Sequence, residues 1–216
     1  YIKWKKKMFD KIDGMYSFII FNNSNDDLFF GRDLFGQKPL YYFKDDNQII
    51  FSSEIKPILR LSNFKSKKMK YNDQEIYKYL NFNFYGDDKN IFFNNIYQIP
   101  PGNFGYFQNK KLNLNKINFS KYKNKINSKN ILTLLKKEIG NHLVADVETA
   151  IMISEGVDSK SIVDISKKFY NQDLKLFNLE FEDFNNNEFR NKYLKVKKNL
   201  YFSKFLKNEM FSYLNK

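Results

Sequence analysis

The 216 residues include no cysteine and only one histidine. Without thiols the chain forms no disulfide and no thiolate metal site, and it has no thiolate to act as a nucleophile. The lone His142 falls near the end of an amphipathic segment. With no second His and no Cys to share a metal, its expected role is solvation or the capping of a helix end. Long apolar runs are missing too. No stretch of about eighteen apolar residues occurs, which argues against a transmembrane helix. Lys3, Lys5, Lys6 and Lys7 ahead of Met8-Phe9-Asp10 are unlike a secretory leader. A cytoplasmic location with no membrane partner is the resulting expectation.

Acidic residues are outnumbered, 24 against 37 Lys and Arg, giving a formal net charge of +13. Basic residues interleaved with aromatics, as in Asn118 to Lys125, suit binding to phosphate backbones and stacked bases. The lysines, however, are spread through every segment beside many asparagines. Diffuse solvated charge is therefore expected, and no nucleic-acid partner. A 42% hydrophobic and 19% aromatic content suits a globular chain rather than a disordered one.

Of what is present, Ile151-Met152-Ile153-Ser154-Glu155-Gly156-Val157-Asp158-Ser159 is the most informative stretch. An apolar strand run breaks into a small polar loop and then a helix. Backbone N–H groups that open a helix are unpaired and lie at the positive end of its dipole, so such a loop can cradle phosphates, with Asp158 holding Mg²⁺. Ser, Gly and Asp also serve as plain turn and cap residues, so the surroundings decide. Thr149 to Ile153 reads as a strand covered on both faces. Ser159 to Tyr170 places Ile162, Val163, Ile165 and Phe169 on one helical face. After a turn at Asn171-Gln172-Asp173, Leu174 to Phe181 reads as a second strand. This is a βαβ unit with its loop where open α/β sheets bind ligands.

Upstream, Tyr16 to Phe21, Asp27 to Gly31, Leu40 to Phe43 and Gln48 to Ser52 read as strands of an antiparallel meander. They are separated by the turn compositions Asn22 to Asp26 and Lys44 to Asn47. Glu54 to Leu61 reads as helical, and Asp73 as the N-cap of Gln74 to Leu80. Arg32 and Asp33 are expected to form an ion pair that fixes the loop Leu34-Phe35-Gly36, and Glu54 to complement a helix dipole, rather than to do chemistry. Periodicity fades between Pro101 and Ser128, marking a domain junction. Ser128 then reads as the cap of a helix sending Ile131, Leu134, Leu135, Ile139 and Leu143 to the core.

Ser154-Glu155-Gly156-Val157-Asp158-Ser159 is similar to the S-G-G-x-D-S pyrophosphate loop of N-type ATP pyrophosphatases, and its surroundings resemble the glutamine-hydrolysing asparagine synthetase family. Asp13-Gly14-Met15-Tyr16-Ser17-Phe18 resembles that family's N-G-M-F-A-F segment. Gly31-Arg32-Asp33-Leu34-Phe35-Gly36-Gln37-Lys38-Pro39-Leu40-Tyr41-Tyr42 is similar to A-R-D-x-F-G-x-K-P-L-Y-Y. Ser52-Ser53-Glu54-Ile55-Lys56 resembles A-S-E-I-K, and Ile99-Pro100-Pro101-Gly102 the l-x-P-G turn. Five matches in order are far more specific than any one of them.

The resemblance implies an α+β part followed by an α/β part. Residues 1–119 would be the C-terminal part of an N-terminal-nucleophile glutaminase domain, an antiparallel αββα sandwich. Residues 120–216 would begin a parallel-sheet synthetase domain of the adenine nucleotide α-hydrolase-like kind. The implied reaction is ATP-dependent amidation of aspartate with glutamine as nitrogen donor, through an acyl-adenylate, releasing AMP and pyrophosphate. By position, Ser154, Gly156, Val157, Asp158 and Ser159 would touch pyrophosphate, Met152 and Leu179 would line the adenosine site, and Asp158 would hold Mg²⁺. A homodimeric parent protein is implied as well. The family's catalytic Cys has no counterpart here, so no catalytic residue is assigned, and the chain is expected to be an internal fragment or truncated product. Such a fragment would leave sheet edges uncovered and be poorly soluble alone.

The chain departs from the family pattern at Glu148, where Pro is usual, and at Glu155, which replaces the first Gly of the loop. A carboxylate there opposes phosphate by about 1 to 4 kcal/mol. Lys160 offsets this if it pairs with Glu155 or reaches a phosphate, in which case Glu155→Gly alters ATP affinity only modestly in a binding titration. Recovery of binding from none would instead mark a degenerate loop. Two other readings stay open: an amidotransferase acting on another carboxylate such as a sugar acid, and a non-catalytic remnant.

Overall fold

A computed structural model describes residues 1–45, 48–61, 70–83, 89–118, 128–170, 174–181 and 200–205. The chain divides into two compact units, Tyr1–Lys123 and Asn124–Lys216. The predicted turn at Asn171-Gln172-Asp173 lies outside the described residues, as do Asp46 and Asn47 of the other turn and most of Asn118 to Lys125.

In the first unit β1 (Ser17–Asn22), β2 (Asp27–Arg32), β3 (Tyr41–Lys44) and β4 (Ile49–Ser52) fall where the sequence predicts strands. They are not one meander. β1 and β2 join β6 (Asn103–Gln108) and β7 (Lys111–Lys116) in an antiparallel sheet of order β1-β2-β6-β7. β3 lies between β4 and β5 (Ile96–Gln98) in a second sheet. Period-2 alternation of side chains explains the split. Phe29 and Phe30 point to opposite faces of β2, and Tyr42 and Phe43 to opposite faces of β3. Phe30, Leu40, Tyr42 and Ile99 fill the core between the sheets, with Leu112 and Leu114 packed on it. Phe9, from a 3-10 helix at Lys5–Asp10, covers the outer face of the first sheet together with Phe29. Ile58, from α1 (Ile55–Arg60), covers the outer face of the second with Phe43.

The segment after Pro101, expected to be a domain junction, is in part the β6–β7 hairpin. Asn109 and Lys110 both have positive φ (47° and 60°), which suits the two-residue turn of a tight hairpin. In β6, Gly105 sits opposite Phe30, and an added Cβ would collide with that ring and with the Asn113 carbonyl. α2 runs over Asp73–Phe82. Its cap is Asn72, one residue before the predicted Asp73, because only Asn72 Oδ1 accepts the N–H three residues on, at Glu75.

Arg32 and Asp33 do fix the 34–38 loop, but not by pairing with each other. Among the described residues no ion pair joins them. Asp33, 2% exposed, accepts from the backbone N–H groups of Phe35, Gln37 and Lys38 at 3.1, 2.9 and 2.9 Å. Arg32 donates to the carbonyls of Lys38, Gly36 and Ile99 at 2.9, 2.8 and 2.6 Å and to Gln98 Oε1 at 3.2 Å. Burial pushes the guanidinium pKa down, opposed by the fields of Tyr41 and Asp33. Gly36 has φ +64°, and a Cβ there would crowd both Pro101 and the guanidinium. Glu54 stands at the N-cap of α1 and its side chain makes no cap bond.

Tyr42 packs against Phe51 and Tyr97, with ring centroids 5.9 and 5.3 Å away. Burial, reinforced by Tyr97, pushes its hydroxyl pKa up to about 12. The folded state therefore favours the neutral phenol. That stability is complete below a pH of about 10, the ordinary phenol value, and is lost as pH climbs toward 12, by on the order of 2 kcal/mol. Denaturant titrations across this window should show Tyr42→Phe losing less stability than the unmodified chain by about that amount. Equal losses would mean that Tyr42 is not the group involved.

In the second unit β8 (Ala150–Met152), β9 (Lys175–Phe181) and β10 (Leu200–Phe205) form a parallel sheet of order β10-β9-β8. α3 (Ser128–Leu143) precedes β8, and α4 (Val157–Tyr170) connects β8 to β9, completing the expected βαβ unit. Ser128 lies inside α3 as its first residue rather than ahead of it as a cap.

Three burial expectations are corrected here. β8 is an edge strand with Met152 62% exposed, because a helix backs only one of its faces among the described residues. α4 buries Val163, Ile165 and Ser166, whereas Ile162 and Phe169 face outward. α3 leaves Ile131, Leu134 and Leu135 exposed. Its described anchor is near its C-terminal half, where the Tyr170 hydroxyl donates to the Lys136 carbonyl at 2.5 Å and the ring lies over Gly140. Lys136 also sits over the Phe169 ring, 3.6 Å from its centroid. No helix among the described residues is long and apolar enough to cross a membrane.

Candidate functional site

The candidate site is the turn from β8 into α4. Ile153, almost fully buried against Val163 and Leu176, ends the strand, and its N–H donates to the Phe177 carbonyl at 2.8 Å. From there the chain leaves the sheet. Ser154, Glu155, Gly156, Val157 and Asp158 are all exposed, and Ser159 is half-buried.

One hydroxyl closes the turn. Ser159 Oγ accepts from the Ser154 N–H at 3.0 Å and lies 3.1 Å from Ser154 Oγ. Its single proton is directed to the carbonyls of Ser154 and Gly156, at 3.1 and 3.2 Å. Gly156 N–H donates in turn to Ser154 Oγ at 3.3 Å. Small polar residues at 154 and 159 are thus what lets the loop fold tightly onto its own backbone. The 14-residue helix begins directly after, at Val157. Its first N–H groups have no intrahelical acceptor, and Asp158 contributes a carboxylate in the same turn.

These features fit a phosphate chain with a divalent ion. Gly156 faces open space, an added Cβ meeting only Ser154 Oγ at 3.4 Å, so a ligand can approach the backbone there. Among the described residues no three His, Cys, Asp or Glu side chains gather into a metal site. Magnesium would therefore need Asp158 together with phosphate oxygens and water, which is its usual mode of binding to nucleotide sites. Glu155 is exposed at the mouth of the turn, and Lys160 is half-buried, its N–H 3.4 Å from the Gly156 carbonyl.

The structure brings Ser154, Gly156, Val157, Asp158 and Ser159 into one turn. Met152 is on the exposed edge of β8, opposite Phe177 in the ladder. Leu179 is in β9, two residues further along, and its side chain lies outside the described residues. His142 stays on the surface, its Nδ1 2.8 Å from the Glu138 carbonyl one turn back, as a helix-end residue. A residue not predicted from sequence also meets the turn: Asn178 Nδ2 donates to the Ile153 carbonyl at 2.7 Å from a buried position on β9.

At the opposite end of β8, Glu148 pairs with Lys175 at the start of β9. That hydrogen bond, added to the lysine's charge, holds the Glu148 carboxyl below its ordinary pKa. The pair lines a shallow hollow of about 310 Å³ with Leu143, Val147 and Leu174, distant from the turn along the strand.

Residues 1–122 match the family described as glutamine amidotransferase domain, and residues 130–195 match the family described as asparagine synthase. Among curated proteins, the chain is similar to asparagine synthetase [glutamine-hydrolyzing] 1 of Bacillus subtilis (strain 168). It is 27% identical over 84% of this chain and 29% of that protein. It is also similar to asparagine synthetase [glutamine-hydrolyzing] 3 of the same organism, 25% identical over 85% of this chain and 31% of that protein. The chain thus spans under a third of the length of these relatives.

Proposed function

The chain belongs to the glutamine amidotransferase domain family through residues 1–122 and carries an asparagine synthase segment at 130–195, and from that footing we propose that it is part of a glutamine-dependent asparagine synthase. The observation that carries the reading is the closed turn at 154–159, which feeds a long helix with hydroxyls, open backbone and one carboxylate. Residues 1–119 act as the C-terminal part of the glutaminase domain, an antiparallel αββα sandwich, and 120–216 begin the ATP-binding synthetase domain.

In the proposed reaction an oxygen of the aspartate side-chain carboxylate attacks the α-phosphorus of ATP. The bond to the β-phosphate bridging oxygen breaks and pyrophosphate leaves. Ammonia released from glutamine then attacks the acyl carbon, and AMP departs to leave asparagine. Negative charge grows on the leaving pyrophosphate, so donors fixed in advance at its position lower the barrier. The N–H groups of Val157 and Asp158 and the Ser154 hydroxyl are those donors, and Ser159, whose proton is held by the Ser154 and Gly156 carbonyls, shapes the turn that presents them. Magnesium at Asp158 supplies further charge neutralisation when bound. Met152 and Leu179 flank the nucleoside end.

The test is ATP–pyrophosphate exchange by the whole protein with magnesium and a panel of carboxylates. Exchange that depends on aspartate is expected. Exchange driven by a different acid, with aspartate inert, would move the acceptor elsewhere, and absence of exchange with every acid would overturn the ligase reading.

A further inference from the structure

We propose that Asn178 is a positioning residue for the nucleotide turn, an inference that rests on the ligase reading above. In a parallel ladder the register is set by backbone rungs, and here the last rung from β8 is Ile153 N–H to the Phe177 carbonyl, 2.8 Å. The next acceptor along the chain is the Ile153 carbonyl. It is taken by the Asn178 side chain, Nδ2 to O 2.7 Å, rather than by the backbone of β9. A side-chain amide thus substitutes for a ladder rung at the point where the chain must leave the sheet. The strand is ended without leaving a buried carbonyl unsatisfied, and Ser154 is released into the turn at a fixed height above the sheet.

The surroundings make this an unusual place for an amide. Asn178 is 8% exposed, on the same face of β9 as Leu176, which packs with Ile153 and Val163. Among the described residues no donor reaches its Oδ1. A buried amide costs free energy unless its polar atoms find partners, whereas an apolar residue of similar volume carries no such requirement. What the amide adds is the fixed position of residue 153, immediately before the groups assigned to pyrophosphate. Because turn and helix start are braced on one another through Ser154 and Ser159, a shift at Ile153 displaces the whole donor set.

The experiment uses the whole protein with Asn178→Leu, which removes the donor at similar volume, and Ser166→Ala as a matched control. Ser166 is likewise a buried polar residue, but its hydroxyl donates within α4 to the Ile162 carbonyl, away from the turn. Hydrogen–deuterium exchange of residues 154–158 without nucleotide, and Mg·ATP affinity by calorimetry, are the two readouts. Asn178→Leu is expected to speed exchange in the turn and weaken Mg·ATP about tenfold, the scale of one hydrogen bond lost from the donor set. Ser166→Ala should lower the melting temperature and leave both readouts alone. If Asn178→Leu does not fold, Asn178→Asp, which keeps the size but presents an acceptor to the Ile153 carbonyl, reads the same contact. Unchanged exchange and affinity in a folded variant would overturn the positioning role. An unmodified whole protein that fails to bind Mg·ATP, while Asn178→Leu still loosens the turn, would sink the ligase reading and leave the structural part standing.

Discussion

Asp33→Ala is expected to destabilise the first unit by about 1.5 to 3 kcal/mol, the range for losing buried hydrogen bonds to a charged group. The carboxylate satisfies three backbone N–H groups of the 34–38 loop. Its backbone also serves the turn from both sides: its N–H donates to the Tyr16 carbonyl, and its carbonyl accepts from Gly36 and Gly102. Truncation orphans the loop amides and removes the negative charge beside the buried Arg32 guanidinium. Asp33→Asn keeps the shape and one carbonyl acceptor, so it should cost roughly half as much, with hydrogen bonds from neutral acceptors being weaker. Chemical denaturation of the full chain measures both. A loss under about 1 kcal/mol for Asp33→Ala, the level of an ordinary surface change, would show that the loop is held by something other than this clamp.

The second large effect is on binding and not on stability. Gly156→Ala places a methyl group where the phosphates would approach, yet within the protein that methyl meets only Ser154 Oγ, 3.4 Å away. No positive φ is involved at this glycine. The folded chain therefore tolerates alanine to within about 0.5 kcal/mol, the stiffer unfolded chain offsetting the poorer helix cap. Mg·ATP affinity, by contrast, should fall by about two orders of magnitude, as the backbone can no longer come close to the phosphates and the donor set is misaligned. Melting curves and calorimetric titration on the same preparation separate the two. A variant that melts as before and binds as before would place the phosphates elsewhere.

Much of the architecture is legible in the sequence because local chemistry marks it. Asn22 to Asp26 is a turn by composition, and the residues on either side become β1 and β2. The apolar run ending at Ile153, a polar loop and a second apolar run suffice to give the βαβ unit. The β6–β7 hairpin is harder to see. Leu112 and Leu114 alternate with Lys and Asn, a correct strand signal that the surrounding Lys-rich and Asn-rich composition obscures. Sheet membership is not local at all: β2 pairs with β6 more than seventy positions away, so hairpin logic alone yields a meander where two sheets exist.

The site divides the same way. Its loop residues are contiguous and carry recognisable chemistry, so they can be named from sequence. Asn178 is separated from Ile153 by 25 positions, and nothing in its strand marks an asparagine that turns inward. Arg32 likewise finds Gln98 and Ile99 across 66 and 67 positions. Proximity in sequence suggests an ion pair with Asp33, and only the folded geometry shows Asp33 spent on backbone amides and Arg32 on three carbonyls and Gln98. The exposed Ile131, Leu134 and Leu135 of α3 mark the limit of helical periodicity as a guide, since it identifies an apolar face but not what lies against it.

The most direct test of the nucleotide turn is calorimetric titration of the whole protein with Mg·ATP, repeated on Asp158→Asn. Saturable one-site binding that requires magnesium and weakens in the variant is the predicted result. No saturable binding, or binding indifferent to both magnesium and Asp158, would contradict the assignment of the turn after Ile153 as the pyrophosphate site.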